Sequence, residues 1–242
     1  MTELSQLRDA FERDGVIVLR GLLTAEAVLR MRAAAAELLD PLEPHSSGLT
    51  EKRGLWREHP VFREFVQFSA APRLAAALMR SSSARFFFDR LAYKGPSGLF
   101  PIPWHRDQPH WPVAGKMVCT IGIALDPIRI ETGGLEFQPG THLKSAPQQT
   151  DAGSPAAVSW EMEPGDCHIY SSMLVHRMGA SAAGDRRYSF VTRWLGEDAS
   201  IDPRPGTDSS LFGCFLEATE PPDFAALEPD WGSLRLVSPR TN

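Results

Sequence analysis

Pro103-Trp104-His105-Arg106-Asp107-Gln108-Pro109-His110-Trp111 sets a histidine and an aspartate two residues apart, among prolines and tryptophans, near the middle of the chain. On an extended strand, residues i and i+2 point to the same face. The spacing therefore predicts that His105 and Asp107 project together, an imidazole nitrogen and a carboxylate oxygen aimed at one point. That is two-thirds of the 2-His-1-carboxylate facial triad, which holds Fe(II) on one side and leaves positions open for substrate and oxygen. A bare His-x-Asp occurs by chance in many chains, so the flanking sequence has to supply a third ligand and a reason to hold iron.

The third ligand comes from Met162-Glu163-Pro164-Gly165-Asp166-Cys167-His168-Ile169-Tyr170-Ser171-Ser172-Met173-Leu174-Val175-His176, which reads as a turn, a strand, and a histidine near the strand's end. A polar hairpin loop with Gly179, Gly184 and Asp185 then leads through Arg186 into the strand Arg187 to Leu195. Antiparallel neighbours bring the two sides of a hairpin together, so His176 and Arg187, eleven apart, are expected to face one cavity. Alternation puts Arg187 and Ser189 on one face and Tyr188, Phe190 and Trp194 on the other. A buried carboxylate needs a bidentate cation, which the guanidinium fork supplies better than an ammonium, and Ser189 adds a hydroxyl. Thr120, on the apolar strand Met117 to Leu125, is a further candidate for the same anion. An iron site beside an acid-gripping arginine points to 2-oxoglutarate as co-substrate and O2 as oxidant, with attack on a C–H bond.

Around these stretches the pattern changes once. Leu4, Leu7, Ala10 and Phe11 fall at helical spacing up to Gly15, a C-cap candidate. Val16 to Leu19 reads as a strand, Thr24 caps a helix that runs to about Asp40, and residues 41 to 59 read as a polar loop. Pro60 to Ser69 and Pro72 to Arg80 read as helices begun by proline. From Arg85 onward short strands take over: the aromatic run Phe86 to Lys94 with Phe86 to Phe88 as core, then Met117 to Leu125, Leu135 to Phe137, Val158 to Met162, Cys167 to Tyr170 and Arg187 to Leu195. Short strands between Gly/Pro turns predict a mainly β antiparallel sandwich or barrel with flanking helices outside. The expected organisation is a single domain over 1–242: helical support in 1–84, a β core in 85–196 and a C-terminal cover in 197–242.

The totals fit that picture. Of 242 residues, 43% are hydrophobic and 23% charged, with a net charge of -5, which is the composition of a soluble globular protein. Without a basic run, nucleic acid is not an expected partner. No apolar run approaches the ~20 residues that span a bilayer, and the charged N-terminus lacks a signal-peptide core. The expected location is therefore cytoplasmic. Cys119, Cys167 and Cys214 are odd in number and far apart, which argues against a disulfide framework.

Taken together, His105-x-Asp107, the turn Glu131-Thr132-Gly133-Gly134-Leu135-Glu136-Phe137-Gln138-Pro139-Gly140-Thr141-His142, Pro164-Gly165-Asp166, and His176 with Arg187 eleven later resemble the phytanoyl-CoA dioxygenase family over about residues 10 to 196. The resemblance implies a double-stranded β-helix, that is a jelly-roll, cupin-like barrel, with Fe(II) and 2-oxoglutarate. It makes His105, Asp107 and His176 the catalytic metal ligands, Arg187 the carboxylate clamp, and Lys94 a lysine that helps hold the co-substrate. Two positions depart from the family: Arg106 stands where glutamine is common, and Gly122 where many relatives carry tryptophan. The missing bulk at Gly122, with the loop from Lys144 to Ala157, suggests room for a compact polycyclic or glycosylated natural product. Arg106, His110 and Trp111 are candidate substrate contacts, with Trp104 at the barrel mouth, while His168 and His142 read as bystanders, His142 in a solvated role. The presence of Asp107 argues against a halogenase, which leaves that position open for chloride. The function expected is oxidation of a small organic molecule in secondary metabolism, by hydroxylation, ring closure, desaturation or epimerisation. A cupin-like metal-dependent dioxygenase or isomerase without 2-oxoglutarate, or a non-catalytic jelly-roll binding module, are the alternatives. Oligomeric state is left open.

Overall fold

Helix α1 (Glu3–Asp14) buries the Leu7, Ala10 and Phe11 face that its spacing requires. The computed structural model describes residues 3–42, 48–94, 101–144, 156–180, 187–216 and 234–241. The helix closes at Gly15, whose φ of +75° and N–H bond to the Phe11 carbonyl turn the chain into β1 (Val16–Arg20). The ring of His142 lies 2.4 Å from where a Cβ on Gly15 would sit, so only glycine fits there. Thr24 then caps α2 (Ala25–Leu39), its side chain accepting from the Ala27 N–H.

Residues 48–59 are not the expected polar loop. They form β2 (Leu49–Arg53) and α3 (Leu55–Glu58). The edge strand is polar and lacks apolar alternation; it is held by its ladder to β3 (Arg85–Lys94) and by an ion pair from Arg90 to Glu51. The buried Asp89 carboxylate fixes the start of α3 by accepting from the N–H groups of Gly54, Leu55 and Trp56 at 2.6, 3.0 and 2.7 Å. Both signals come from 33 to 45 residues away. Helices α4 (Pro60–Phe68) and α5 (Ala71–Met79) follow, with proline in the first turn of each.

The remaining strands are β4 (Ile102–His105), β5 (Val113–Ala114), β6 (Val118–Ala124), β7 (Leu135–Phe137), β8 (Val158–Ser159), β9 (Cys167–Ser171), β10 (His176–Met178), β11 (Arg187–Leu195) and β12 (Ser200–Ile201). After helix α6 (Leu211–Leu216) come β13 (Arg235–Leu236) and β14 (Arg240–Thr241). They build two antiparallel sheets, β13-β1-β9-β6-β11-β3-β2 and β14-β8-β7-β10-β4, plus the small pair β12-β5. This is a jelly-roll. Residues 158–162 shrink to the two residues of β8 and an isolated bridge from Met162 to Ile128.

Three apolar clusters explain the layers. Phe62, Phe65 and Leu74 of the helices pack on Ile121, Ile169, Phe190 and Trp194, the outer face of the large sheet. Val18 and Tyr170 of the large sheet meet Phe137 and Val158 of the small one and Trp160 just beyond β8, closing the sandwich at one end. Phe87, Phe88 and Trp111 close the other. Segment 234–241 adds an edge strand to each sheet, and Val237 between them takes its N–H bond to the Val18 carbonyl and accepts from the Trp160 indole N–H at 3.0 Å. No helix among the described residues is long and apolar enough to cross a membrane.

Candidate metal centre and its cavity

His105 and Asp107 do come together, but not as two residues of one strand. Strand β4 ends at His105, and Asp107 has turned into the helical region, φ −71° and ψ −51°, at the head of a 3-10 turn over Gln108–His110. The N–H of Gln108 bonds to the Ser172 carbonyl and pins that turn to the connection after β9. His176 likewise does not lie near the end of β9. That strand stops at Ser171, a turn crosses to the small sheet, and His176 opens β10 directly opposite His105 of β4. Their ring centroids are 4.3 Å apart. His176 and Arg187 are therefore not the two sides of one hairpin. Strand β10 belongs to the small sheet and β11 to the large one, so the two residues line one cavity from opposite sheets. Gly184, Asp185 and Arg186 lie outside the described residues.

One ligand atom from each of His105, Asp107 and His176 lies within 4.8 Å of the others. Asp107 Oδ1 is 3.5 Å from His105 Nε2 and 3.7 Å from His176 Nε2. His105 Nδ1 lies 2.9 Å from the Pro103 carbonyl, and His176 Nδ1 lies 3.0 Å from the Leu174 carbonyl. A carbonyl only accepts, so each Nδ1 carries the proton and each Nε2 presents a lone pair. The Tyr170 hydroxyl donates to Asp107 Oδ2 at 3.2 Å, which leaves Oδ1 for the shared point. Burial alone would raise the Asp107 pKa, but in the metal-free chain the charge of His176 and the bond from His105, both present when those rings are protonated, together with nearby Arg193 outweigh it and hold the carboxyl below its usual range. Burial lowers His176. It also acts downward on His105, where the bond to Asp107 reverses the sign and leaves the group raised. Two neutral-imidazole nitrogens and one carboxylate oxygen fit a first-row divalent ion bound on one face, with the rest of its coordination open.

The cavity beside this cluster has apolar walls, among them Val18, Ile128, Phe137, Trp160, Met162 and Met178. Lys94 and Arg187 are cross-strand partners on its wall, both buried, with Ser189 two residues further along the same face. The carbonyls of Thr132 and Gly133, in the Gly-rich turn, accept from Arg187 Nη1 and Nη2. Thr120 is buried across the strand from Tyr170 and does not line the cavity. Arg106, His110 and Trp111 do not line it either. The Arg106 guanidinium donates to the carbonyls of Thr141 and Lys144, His110 is exposed, and Trp111 packs edge-on against Phe87 and Phe88.

The space expected at Gly122 is filled. The His168 ring lies over it, with Nε2 2.1 Å from where a Cβ would be. His168 is a lining residue of the cavity, not a bystander, and burial with the neighbouring His176 pushes its pKa down to about 3. His142 is half-buried and donates to the Glu12 carbonyl, which replaces the expected solvated role. Most of the loop from Lys144 to Ala157 lies outside the described residues. Two lining residues that pattern reasoning passed over are Arg90 and Tyr170. Arg90 had a signal: a charge on the inward-alternating face of an aromatic strand, four residues before Lys94.

A family profile described as phytanoyl-CoA dioxygenase (PhyH) matches residues 11–188. The "Dioxygenase lolE1" of Epichloe uncinata is 28% identical over 145 residues, which is 57% of this chain and 55% of that protein. The "Multifunctional dioxygenase prhA" of Penicillium brasilianum is 26% identical over 206 residues, 74% of this chain and 67% of its own. The chain thus spans little more than half of the first of these relatives and two-thirds of the second. Among solved structures, the alpha ketoglutarate dependent epimerase SnoN from nogalamycin biosynthesis matches with a TM-score of 0.78 at 23% identity, covering 96% of this chain and 97% of that one. SnoN has also been crystallised in complex with Fe3+, alpha ketoglutarate and nogalamycin RO. At that identity the likeness is one of fold.

Proposed function

The chain belongs to the phytanoyl-CoA dioxygenase family, and from that premise we propose that it is an Fe(II)- and 2-oxoglutarate-dependent oxygenase acting on a small organic molecule of secondary metabolism. The reaction is oxidation at a C–H bond, ending in hydroxylation, ring closure, desaturation or epimerisation. The observation that carries this reading is the convergence of two histidine Nε2 atoms and Asp107 Oδ1 within 4.8 Å on a cavity that also holds the Arg187–Lys94 pair.

Iron with 2-oxoglutarate and O2 supplies the oxidant when bound, and the chain's residues do the rest. His105 and His176 hold the ion through nitrogens whose tautomer the Pro103 and Leu174 carbonyls fix. Asp107 completes the face with the oxygen that Tyr170 leaves uncommitted. Arg187, its fork oriented by the Thr132 and Gly133 carbonyls, grips the far carboxylate of 2-oxoglutarate, with Lys94 and Ser189 beside it. The apolar walls keep water from the reacting carbon. SnoN's description as an epimerase and the dioxygenase names of the relatives support the range of outcomes. Anaerobic addition of Fe(II) and 2-oxoglutarate is expected to give the weak visible charge-transfer band of a chelated keto acid, and His176→Ala to abolish it. A wild-type protein with no such band would sink the reading.

A further inference from the structure

The cavity holds a cation that the proposed chemistry does not use. Lys94, Ala92, Arg90 and Phe88 of β3 alternate opposite Arg187, Ser189, Val191 and Arg193 of β11. Arg90 lines the cavity four residues beyond Lys94, roughly 13 Å along the strand. It is close enough for its charge to act on His105, Asp107 and His176. Its Nη1 donates to Glu51 at 2.6 Å, and its buried Nε has no hydrogen-bond partner among the described residues. On the same face, diagonal to Arg90, Arg193 is 3% exposed and stacked on Phe88 and Trp111, with Nε and Nη1 equally without partners. Buried N–H groups without acceptors are rare in folded proteins. The acids acting on this pair are Glu51, Asp107 and Asp89; the metal takes up Asp107, and Asp89 is already committed to the three N–H groups at the head of α3. An anion is what this end of the cavity lacks.

We propose that Arg90 is the substrate-docking residue and that the substrate is a compact apolar molecule bearing a carboxylate or other anionic oxygen, its body lying against Phe137, Trp160 and Met162. The proposal rests on the oxygenase reading for the position of the reacting carbon. Specificity then follows from a single charge-assisted contact in an apolar chamber, which rejects neutral analogues more sharply than it selects shape.

The test is isothermal titration of Mn(II)-loaded protein with 2-naphthoate and with 2-naphthamide, with and without saturating 2-oxoglutarate. Wild type is expected to prefer the carboxylate by about tenfold. Arg90→Met is expected to remove that preference while leaving the naphthamide and 2-oxoglutarate affinities within about twofold. Arg90→Lys, which keeps the charge, is expected to retain a preference for the acid, separating loss of charge from loss of fold. A preference unchanged in Arg90→Met overturns the proposal. So does a loss of 2-oxoglutarate affinity in its place, which would assign Arg90 to the co-substrate. A chain that takes up no 2-oxoglutarate ends the oxygenase reading, yet the naphthoate comparison still scores Arg90.

Discussion

Tyr170 decides which oxygen of Asp107 is left for a metal, because its hydroxyl holds Oδ2 at 3.2 Å. Removing an outer hydrogen bond of this kind typically costs 10–100-fold in metal affinity. Tyr170→Phe is accordingly expected to weaken Mn(II) binding by about tenfold without loss of fold, read by titration of the bound ion. At the other end of the cavity, Arg187→Ala is expected to raise the 2-oxoglutarate concentration needed for half-saturation by about tenfold or more, with iron binding little changed. An unchanged requirement removes the clamp role. Single residues are legible where chemistry and spacing act together: His105, Asp107, His176 and Arg187, picked out by spacing, all line the one cavity. Arg106 was misread because a charge beside a ligand looks functional until its carbonyl partners, Thr141 and Lys144, are in view. His168 reads as a bystander because nothing in one strand says that a glycine on the next lies beneath it.

Among the elements, α3 shows how a distant group starts a helix. Asp89 accepts three backbone N–H bonds at the head of that four-residue segment, and the carboxylate itself is wholly buried. Asp89→Ala strands those donors, so a loss of about 3 kcal/mol is expected in urea unfolding. A midpoint that does not move would show that water satisfies them. Helices with apolar stripes and strands of seven to ten residues were readable because their own periodicity specifies them. Shorter strands are less so: Leu135 to Phe137 reads as the strand it forms, but β4, β5 and β10 carry too few alternations, and the ladder partner is what makes them strands. That is why the sheet change between Ser171 and His176 went unread, and with it the true relation of His176 to Arg187.

For the whole molecule, acid is the informative stress. An unfolded histidine titrates near pH 6.5, whereas burial, with His176 alongside, pushes His168 down to about 3. A group depressed on folding contributes stability above its unfolded pKa and loses it as pH falls toward the folded value, because the unfolded chain then binds the extra proton. Between pH 7 and pH 5 this amounts to about 2 kcal/mol. Denaturant unfolding at the two pH values should show a smaller drop for His168→Gln than for wild type. Equal drops would show that the ring is hydrated. At this scale the jelly-roll was legible through the assembled motifs more than through its individual strands, since the return of the 234–241 segment onto both sheets has no signature in composition or spacing.

That segment fastens the chamber like a hasp. Its Val237 ties to Val18 on one leaf and to Trp160 on the other, two residues that form the chamber's wall. Whatever pries the strap loose, be it a protease nick or a bulky fusion behind it, is expected to slacken the room in which a guest is held before it disturbs the ion.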